Sequence, residues 1–372
     1  MSKRVVIAGL GDTGLLVAIH LGAGFNVVGI STKPCLVSGQ ELGTRLTQPD
    51  TWKQDYLMPF GRYRKLDGTR IVQGRIVELD TAKREVRVAL PDGQTQTEPY
   101  DVAVISSGVT NGFWRNDAVQ DEARIEAGIR DAASEIADAK TLAVVGGGAT
   151  GASVAVNVKE RYPDKPVHFF FSGPQPLPGY HPRVRDRVER ELVRLGVVLH
   201  PEHRAVIPDD FDCDRFTSEP VSWSTGQPPF EGGLTLWAVG RMRPNNSFIP
   251  TDMLDEAGFV RVDEHLRVQG YEDVFAVGDI AASDPNRSSA RNFGYRLVAH
   301  NIRATLSGKP RAMKRYTATP YRWGSVLGVQ RDGMRVFQPN GRSVRFPVWA
   351  VRKLIFPVAV GALYRGIRSP RE

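Results

Sequence analysis

Two glycine triplets with the same spacing are the residues whose chemistry is clearest. They lie in GLGDTG and GGGATG, and they consist of Gly9, Gly11 and Gly14, and of Gly146, Gly148 and Gly151. In a G-x-G-x-x-G turn, one glycine makes the tight bend, one lets the backbone approach a pyrophosphate, and one lets the helix pack on the strand. The free N–H groups of that helix then bind the phosphates. The spacing therefore predicts two dinucleotide-binding turns.

Each triplet stands between a predicted strand and a predicted helix. An apolar run over Val5–Ala8 precedes the first triplet and an apolar helix over Leu15–Leu21 follows it, while a strand from Thr141 and a helix over Ala152–Arg161 flank the second. Short apolar runs bounded by glycine are typical of strands buried on both faces of a parallel sheet. Further runs of this kind are Phe25–Ile30, Val102–Ile105, Val167–Phe171, Leu234–Gly240 and Asp273–Asp279. The pattern predicts an α/β protein.

Small or hydroxyl-bearing residues follow several of these strands, where a cofactor could lie against the backbone. They are Ser31, Thr32, Ser106, Ser107, Gly108, Ser172, Val239 and Gly240. An acid that binds a ribose hydroxyl commonly occurs about 20 residues after the first glycines. Ser31 and Thr32 occupy that place here, and a hydroxyl binds a ribose more weakly than a carboxylate does. Which of the two replaces the acid stays open.

The intervening segments give coarser expectations. Residues 70–101 alternate apolar and polar residues around an Asp92-Gly93 turn, which predicts an antiparallel meander. Helices are predicted over Asp117–Ala139, Pro182–Leu195 and Ser288–Leu306.

Composition excludes several classes of protein. The 372 residues include 41% hydrophobic and 24% charged residues, so the chain is globular and suits two or three domains. Its only cysteines, Cys35 and Cys213, are too far apart in sequence for a C-x-x-C redox or zinc motif. The seven histidines show no metal-ligand spacing, and no metal is expected. No apolar run has the length of a spanning helix, and a cytoplasmic protein is predicted.

The C-terminal region, residues 309–372, carries most of the positive charge. It has 14 Lys or Arg against two acids, a net charge of +12, so the rest of a chain whose total is +8 carries −4. Apolar residues interleave with the basic ones between Val344 and Arg368. This pattern favours a segment that lies on an anionic membrane surface, with nucleic acid as the less favoured partner because of the apolar content.

The motifs together resemble the two-dinucleotide-binding flavoproteins, in which an FAD domain is split around an NAD(P)H domain. The resemblance covers Lys3 to about Gly308 and rests on GLGDTG, SSG at 106–108, GGGATG, WAVG at 237–240 and VFAVGD at 274–279. It implies two Rossmann-like domains, with FAD bound by 1–110 and 237–308 and NAD(P)H bound by 111–236. Without a cysteine pair, the chain is most similar to the single-chain quinone reductases, namely the type II NADH:quinone oxidoreductases and the ferroptosis suppressor proteins.

The resemblance also assigns site residues. For FAD it implies Gly9, Gly11, Asp12, Thr13, Gly14, Ser31, Thr32, Arg45, Lys53, Ser106, Ser107, Gly108, Asp279, Ile280 and Arg291. Asp279 would accept hydrogen bonds from the ribityl hydroxyls. For NADH or NADPH it implies Gly146, Gly148, Ala149, Thr150, Gly151, Ser153, Ser172, Val239 and Gly240. Ser153 stands where these proteins usually carry a glutamate, and Ser172 replaces an acid that would repel a 2′-phosphate, so NADPH is expected to be accepted as well as NADH.

The expected activity is hydride transfer from NAD(P)H to FAD, followed by reduction of a quinone at the inner face of a membrane. No protein nucleophile or metal is needed, because the cofactors carry the chemistry. Two alternatives stay open: a soluble NAD(P)H-dependent ferredoxin-type reductase, and a nucleotide-responsive flavoprotein with a binding role. The second gains weight from the missing glutamate at Ser153.

Overall fold

The structure is a computed structural model that describes residues 2–284, 294–318 and 324–368. Its longer helices are α1 (Asp12–Leu21), α2 (Leu42–Thr47), α3 (Pro49–Tyr56), α4 (Glu122–Asp138), α5 (Ala149–Arg161), α6 (Pro182–Leu195) and α7 (Gly294–Leu306). Near the C-terminus, α8 (Val348–Ala350) continues through a π-helical turn (Val351–Ile355) into α9 (Phe356–Tyr364).

The strands lie in sheets of two to five members. In chain order they are β1 (Arg4–Ala8), β2 (Asn26–Ser31), β3 (Cys35–Val37), β4 (Leu57–Pro59), β5 (Thr69–Gln73), β6 (Arg75–Asp80), β7 (Glu85–Ala89), β8 (Thr95–Pro99), β9 (Val102–Ile105), β10 (Val109–Thr110), β11 (Leu142–Val145), β12 (Val167–Phe170), β13 (Val198–His200), β14 (Leu234–Trp237), β15 (Arg243–Pro244), β16 (Val274–Ala276), β17 (Val329–Gln330), β18 (Gly333–Phe337) and β19 (Ser343–Phe346).

The first domain is a parallel sheet with strand order β16-β9-β1-β2-β5. The predicted apolar runs form its centre, and every residue of β9 and β16 is buried. One face packs on α1 and α7, and the other packs on the meander β6-β7-β8. Because β16 joins the sheet after the whole second domain has been completed, this domain is built from two separate parts of the chain.

One expectation about this domain is wrong. The stretch from residue 70 was expected to form only the antiparallel meander, but β5 pairs in parallel with β2, with Gly29 opposite Ile71. The meander begins at β6, after Gly74. The chain passes close to itself there, since a Cβ on Gly74 would lie 2.6 Å from the Ala89 carbonyl oxygen. Alternation alone does not distinguish an edge strand of a parallel sheet from a meander strand.

The second domain has a four-stranded parallel sheet with order β13-β12-β11-β14. Helices α4, α5 and α6 cover one face, and an aromatic cluster around Phe170 and Trp223 covers the other. The predicted boundary at residue 237 falls on the last residue of β14, where Trp237 pairs with Val145. The last residue of this strand thus pairs within the second sheet.

The predicted helices agree with the structure except at some ends. Helix α6 has the predicted bounds and buries Val184, Val188 and Leu192. Helix α4 begins five residues later than predicted, because Asp121 caps it by accepting a hydrogen bond from the Arg124 amide at 2.7 Å. The part of the last predicted helix before Gly294 lies outside the described residues.

The C-terminal region folds back on both domains. Val326, Leu327 and Phe337 pack in the core of the second domain. At the other end, the Tyr364 ring packs 5.0 Å from the Tyr63 ring, and the Arg368 guanidinium forms two hydrogen bonds with Asp67 at 2.9 and 2.6 Å. Within the described ranges, no helix combines the length and apolar character needed to cross a bilayer.

A histidine pair lies in the aromatic cluster of the second domain. His168 Nδ1 is 2.9 Å from His200 Nε2, and the His200 ring stacks 4.2 Å from Phe170. Burial, together with His168 and His203, lowers the pKa of His200 to about 4, and burial lowers the pKa of His168. Both rings are therefore neutral in the folded protein near neutral pH.

This pair predicts a loss of stability in acid. Between pH 6.5 and about 4 the unfolded chain binds protons that the folded His200 does not, so the free energy of unfolding falls as the pH falls through that window. A His200→Phe variant keeps the stacking surface and removes the titration. Its melting temperature should drop less between pH 7.5 and 5 than that of the wild type, whereas the control His300→Gln, at a half-buried histidine on α7 outside this cluster, should follow the wild type. Parallel pH curves for His200→Phe and wild type would contradict the assignment.

Candidate dinucleotide-binding sites

The first glycine triplet forms the turn between β1 and α1. A Cβ on Gly9 would lie 2.5 Å from the Ser106 carbonyl oxygen, and a Cβ on Gly14 would lie 1.9 Å from the Gly9 carbonyl oxygen. Gly11 is different, because a Cβ there would meet nothing within 4 Å, and its φ of −75° suits any residue. Thus internal packing accounts for the outer two glycines, and the middle one faces open space.

That open space is a cavity of about 370 Å³ along the carboxyl ends of the first sheet. Many residues predicted for FAD line it, namely Gly9, Gly11, Asp12, Thr13, Ser31, Thr32, Arg45, Ser106, Ser107, Gly108 and Asp279. The strand ends bring them together, because parallel strands present their carboxyl ends at one edge. The Ser106 hydroxyl donates to the Gly9 carbonyl at 2.8 Å, and the Ser107 hydroxyl donates to the Asn245 carbonyl at 2.8 Å, so both hydroxyls fix the cavity wall.

Three carboxylates line this cavity, namely Asp12, Asp117 and Asp279, and the first and last of them are predicted FAD residues. Asp12, in the first turn of α1, accepts hydrogen bonds from the Ser38 hydroxyl at 2.8 Å and the Gly39 amide at 3.1 Å. Asp279 follows β16 and forms an ion pair of 2.9 Å with Arg115. Burial raises the pKa of Asp279, and Arg115 opposes that rise. The ion pair therefore favours the charged Asp279 carboxylate.

Arg45 is a buried cation of the same cavity, with 9% of its surface exposed. It donates to the Trp114 carbonyl at 3.1 Å, and its guanidinium lies 5.0 Å from the centre of the Trp52 ring. Burial lowers its pKa to about 10, so it stays charged near neutral pH. No carboxylate in the described part of the chain is paired with it, so its positive charge is available to an anionic ligand.

Sequence reasoning missed several polar residues of the cavity. They are Lys33, Arg75, Arg115, Asn116, Gln120, Arg124 and Asn245. Lys33 donates to the Asn116 side chain at 3.0 Å, and burial lowers its pKa to about 8. Its position directly after Ser31 and Thr32 was a usable signal, because it too follows β2. Arg115 lies in a loop with no recognisable motif.

The acid expected after β2 is replaced by polar groups of this cavity. The Ser31 hydroxyl accepts from the Lys33 amide at 3.1 Å, while the Thr32 carbonyl accepts from the Gln120 amide at 3.1 Å. Both residues line the cavity, so the structure offers hydroxyls and nearby cations where a carboxylate was expected.

Three of the predicted FAD residues that the structure describes do not line the cavity. Gly14 packs under the turn, and Ile280 is fully buried beside Asp279. Lys53 forms an ion pair with Glu126 instead of facing the cavity, so we leave it out of the site. Arg291 lies outside the described residues.

The second triplet repeats the geometry of the first, between β11 and α5. A Cβ on Gly146 would lie 2.2 Å from the Ala238 carbonyl oxygen, and a Cβ on Gly151 would lie 2.2 Å from the Gly146 carbonyl oxygen. Around Gly148 nothing lies within 4 Å of a Cβ, and its φ is −80°. Ala149 and Thr150 begin α5, and Val239 and Gly240 follow β14 at the same edge of the sheet. The outer glycines again pack internally while the middle one is open.

Ser153 and Ser172 differ in their surroundings. Ser153 is buried between α5 and α2, where a Cβ on Gly43 would lie 2.7 Å from its carbonyl oxygen. Asn157 donates to the Ser153 carbonyl at 2.8 Å. Ser172, after β12, is exposed. The close packing of α2 on α5 joins the two domains and leaves little room at Ser153 for a longer side chain.

The two cysteine thiols are separate and inert. Cys35 packs near Trp52 in the first domain, and Cys213 packs near Trp237 in the second. Burial raises the pKa of each thiol to about 11. Neither is a thiolate at neutral pH, and they belong to different clusters, so they do not form a redox pair.

Both turns fit a dinucleotide. Each presents a helix N-terminus beside a glycine that no atom of the described residues crowds, and the first adds a buried guanidinium that has no carboxylate partner among those residues. Backbone N–H groups and a guanidinium are the donors that a diphosphate requires.

Proteins of known sequence or structure resemble this chain over most of its length. The chain is 27% identical to ferroptosis suppressor protein 1 of Xenopus tropicalis over 330 residues, covering 83% of this chain and 82% of the relative. It is 25% identical to apoptosis-inducing factor homolog B of Dictyostelium discoideum over 330 residues, covering 82% of each. The fold is similar to that of NDH2 from Plasmodium falciparum, solved with NADH, with a TM-score of 0.72, 12% identity and coverage of 98% of this chain and 95% of that one.

A profile of the pyridine nucleotide-disulphide oxidoreductase family matches residues 3–304. The predicted fold class is confirmed, and so are the predicted oxidoreductase class and the FAD and NAD(P)H cofactors of this family. The match spans both glycine turns and Asp279 and leaves only the C-terminal region outside it. The chain therefore belongs to the pyridine nucleotide-disulphide oxidoreductase family.

Proposed function

We propose that this protein is an FAD-dependent NAD(P)H:quinone oxidoreductase that works at a membrane surface. FAD binds the first turn, formed by residues of 1–110 and of the part after β14, and NAD(P)H binds the second turn within 111–236. The observation that carries the proposal is the pair of middle glycines, Gly11 and Gly148, each open to space in a turn that is otherwise closely packed. When bound, FAD supplies a two-electron acceptor for the nicotinamide and a donor for the quinone.

The side chains of the protein hold and orient the two dinucleotides. The α1 N-terminus and Arg45 bind the FAD diphosphate, and Asp279 accepts hydrogen bonds from the ribityl hydroxyls. The α5 N-terminus binds the diphosphate of NAD(P)H. The packing of α2 on α5 fixes the two domains relative to each other, and a fixed arrangement of the two dinucleotide sites is what hydride transfer between them would require.

A quinone is the acceptor that suits this chain better than a disulphide. The reductases of the family that act on disulphides need a thiol pair, and Cys35 and Cys213 lie in different clusters. The sequence resemblance to single-chain quinone reductases supports the same choice. Bound FAD would supply the electrons for a quinone, so no further redox group of the protein would be required.

The C-terminal region supplies the membrane contact. Trp349, Leu354 and Val358 are 62%, 54% and 69% exposed, although neighbouring apolar residues of the region pack on the first domain. Exposed basic side chains lie near them in the sequence, namely Arg342, Arg345, Arg352 and Lys353. Exposed apolar groups inside a basic patch bind the interface of an anionic bilayer, with the cations next to the headgroups.

Removing two of these apolar groups is expected to release the protein from vesicles. A Trp349→Ser/Leu354→Ser double variant should bind phosphatidylcholine–phosphatidylglycerol vesicles at least about tenfold more weakly, because it loses the burial of two large side chains. Co-sedimentation measures this. Val193→Ser on α6, whose side chain is 59% exposed, is the matched control and should bind like the wild type. If the double variant binds vesicles as tightly as the wild type does, the C-terminal region does not make the membrane contact.

The function is tested by anaerobic spectroscopy of the flavin-loaded protein. NADH or NADPH should bleach the flavin absorbance, and a soluble ubiquinone analogue should restore it without oxygen. Bleaching at similar rates by both nucleotides is expected, because Ser172 carries no charge to repel a 2′-phosphate. Bleaching with recovery by ferredoxin but not by quinone would favour the soluble reductase, and absence of bleaching would favour a binding role.

A further inference from the structure

Arg115 is a cation of the FAD cavity that no sequence motif predicts. Its Nη1 lies 2.9 Å from Oδ2 of Asp279, and its side chain is 26% exposed. On the other side it passes over Gly39, where an added Cβ would lie 3.0 Å from Nε of the arginine. The guanidinium therefore lies between the Asp279 carboxylate and the backbone that follows β3.

The loop that carries Arg115 is fixed on both sides. The Asn111 amide donates to the Arg115 carbonyl at 2.9 Å. The neighbouring Trp114 is 6% exposed, and its carbonyl accepts from Arg45 Nη1 at 3.1 Å. One cavity arginine thus anchors the backbone from which the second extends. A long side chain loses less freedom on binding when its backbone is already held.

Charge explains why a cation is needed at this place. Asp12 is bound to Ser38 and to the same Gly39 over which Arg115 passes, so two carboxylates flank the guanidinium. Burial raises the pKa of Asp279, Arg115 opposes that rise, and the negative charge of Asp12 adds to it. A dinucleotide diphosphate would add about two negative charges to the cavity that already holds these two carboxylates. Repulsion between like charges is strong where they are partly removed from water.

We propose that Arg115 is a positioning residue of the FAD site, which holds the Asp279 carboxylate in place and supplies the positive charge that lets the diphosphate bind beside Asp12 and Asp279. This inference rests on the proposed placement of FAD in the cavity. One guanidinium nitrogen contacts Asp279, and the remaining N–H groups are able to donate to a second anion, which a lysine does less well because it lacks the planar fork.

The test is a fluorescence titration of the apoprotein with FAD at low and high salt. Arg115→Met should weaken FAD binding about 10- to 100-fold, the usual effect of losing hydrogen bonds to charged groups. Its affinity should also depend less on salt than that of the wild type, because screening acts on the cation that has been removed. Arg115→Lys should recover part of the affinity and of the salt dependence, which a purely structural role would not explain.

Arg84→Met is the matched control, because Arg84 also pairs with an aspartate, Asp273 at 2.7 Å, but lies outside the cavity. It should bind FAD like the wild type. Wild-type affinity and salt dependence in Arg115→Met would overturn this inference and leave the FAD assignment intact. Failure of the wild-type apoprotein to bind FAD would overturn the assignment and the inference together. If Arg115→Met does not fold, as judged by thermal unfolding, Arg115→Gln takes its place beside Arg115→Lys. Wild-type FAD affinity together with unchanged salt dependence in Arg115→Gln would then overturn the proposal.

Discussion

A Gly11→Ala variant is expected to fold like the wild type and to lose FAD. An added Cβ meets no protein atom within 4 Å, and φ at this position is −75°, so alanine costs the apoprotein almost nothing. Glycine is therefore not required here by the protein itself. A Cβ would instead occupy the space that the diphosphate needs for its contact with the backbone. We expect the dissociation constant of FAD to rise at least about 100-fold, which corresponds to about 2.7 kcal/mol.

Flavin titration of the apoprotein measures this effect, and thermal unfolding of the same sample checks the fold. The informative comparison is Gly14→Ala in the same turn. Its Cβ would lie 1.9 Å from the Gly9 carbonyl oxygen, so that variant should lose thermal stability as well as FAD. Full FAD affinity in Gly11→Ala would mean that the diphosphate does not cross the open face of the turn, and the FAD site would have to be placed elsewhere.

Local sequence predicts the parts of these sites that are themselves local. The strand, the turn and the helix around each glycine triplet are adjacent in sequence, and Gly14 and Gly151 are each constrained by the carbonyl oxygen of the first glycine in their own triplet. Asp279 is assigned through the resemblance, on the VFAVGD motif, and it lies three residues after the end of the buried strand β16. For such features, the local amino-acid sequence is enough to predict the backbone geometry.

The parts that were missed depend on distant segments. Arg115 reaches Asp279 across more than 160 positions of the chain, and no periodicity or turn signal marks such a pairing. Lys53 shows the same limit from the other side, because it is a predicted cofactor residue and forms an ion pair with Glu126 on α4. Basic residues in loops are common, and only the packing of the elements decides which of them face a cavity.

The C-terminal region shows the same limit. Its composition predicts a basic and apolar segment, but not that Tyr364 packs against Tyr63 or that Arg368 pairs with Asp67. Both contacts hold the region against the first domain. Consequently only part of its apolar surface, around Trp349, is free to meet a membrane. Attachment of this kind would present the body of the protein to the bilayer in a fixed orientation.

The corresponding change in the second turn should separate the two cofactors. A Gly148→Ala variant is expected to keep its fold and its yellow colour, because the FAD turn is untouched and a Cβ at Gly148 meets nothing within 4 Å. Reduction by NADH or NADPH should fail at ordinary nucleotide concentrations, since the added methyl group takes the place of the nucleotide diphosphate. We expect the concentration that gives half-maximal bleaching to rise about 100-fold.

Stopped-flow mixing under anaerobic conditions measures this, and dithionite provides the internal control because it reduces flavin without using the nucleotide site. Dithionite should bleach Gly148→Ala as fast as the wild type. Gly151→Ala is the structural comparison, since its Cβ would lie 2.2 Å from the Gly146 carbonyl oxygen and should lower the melting temperature as well. The opposite result would be normal reduction of Gly148→Ala by NADH, together with a Gly11→Ala variant that keeps its FAD but is no longer reduced by NADH. In that case the assignment of the two cofactors to the two turns would have to be exchanged, because each middle glycine reports only on the ligand that crosses it.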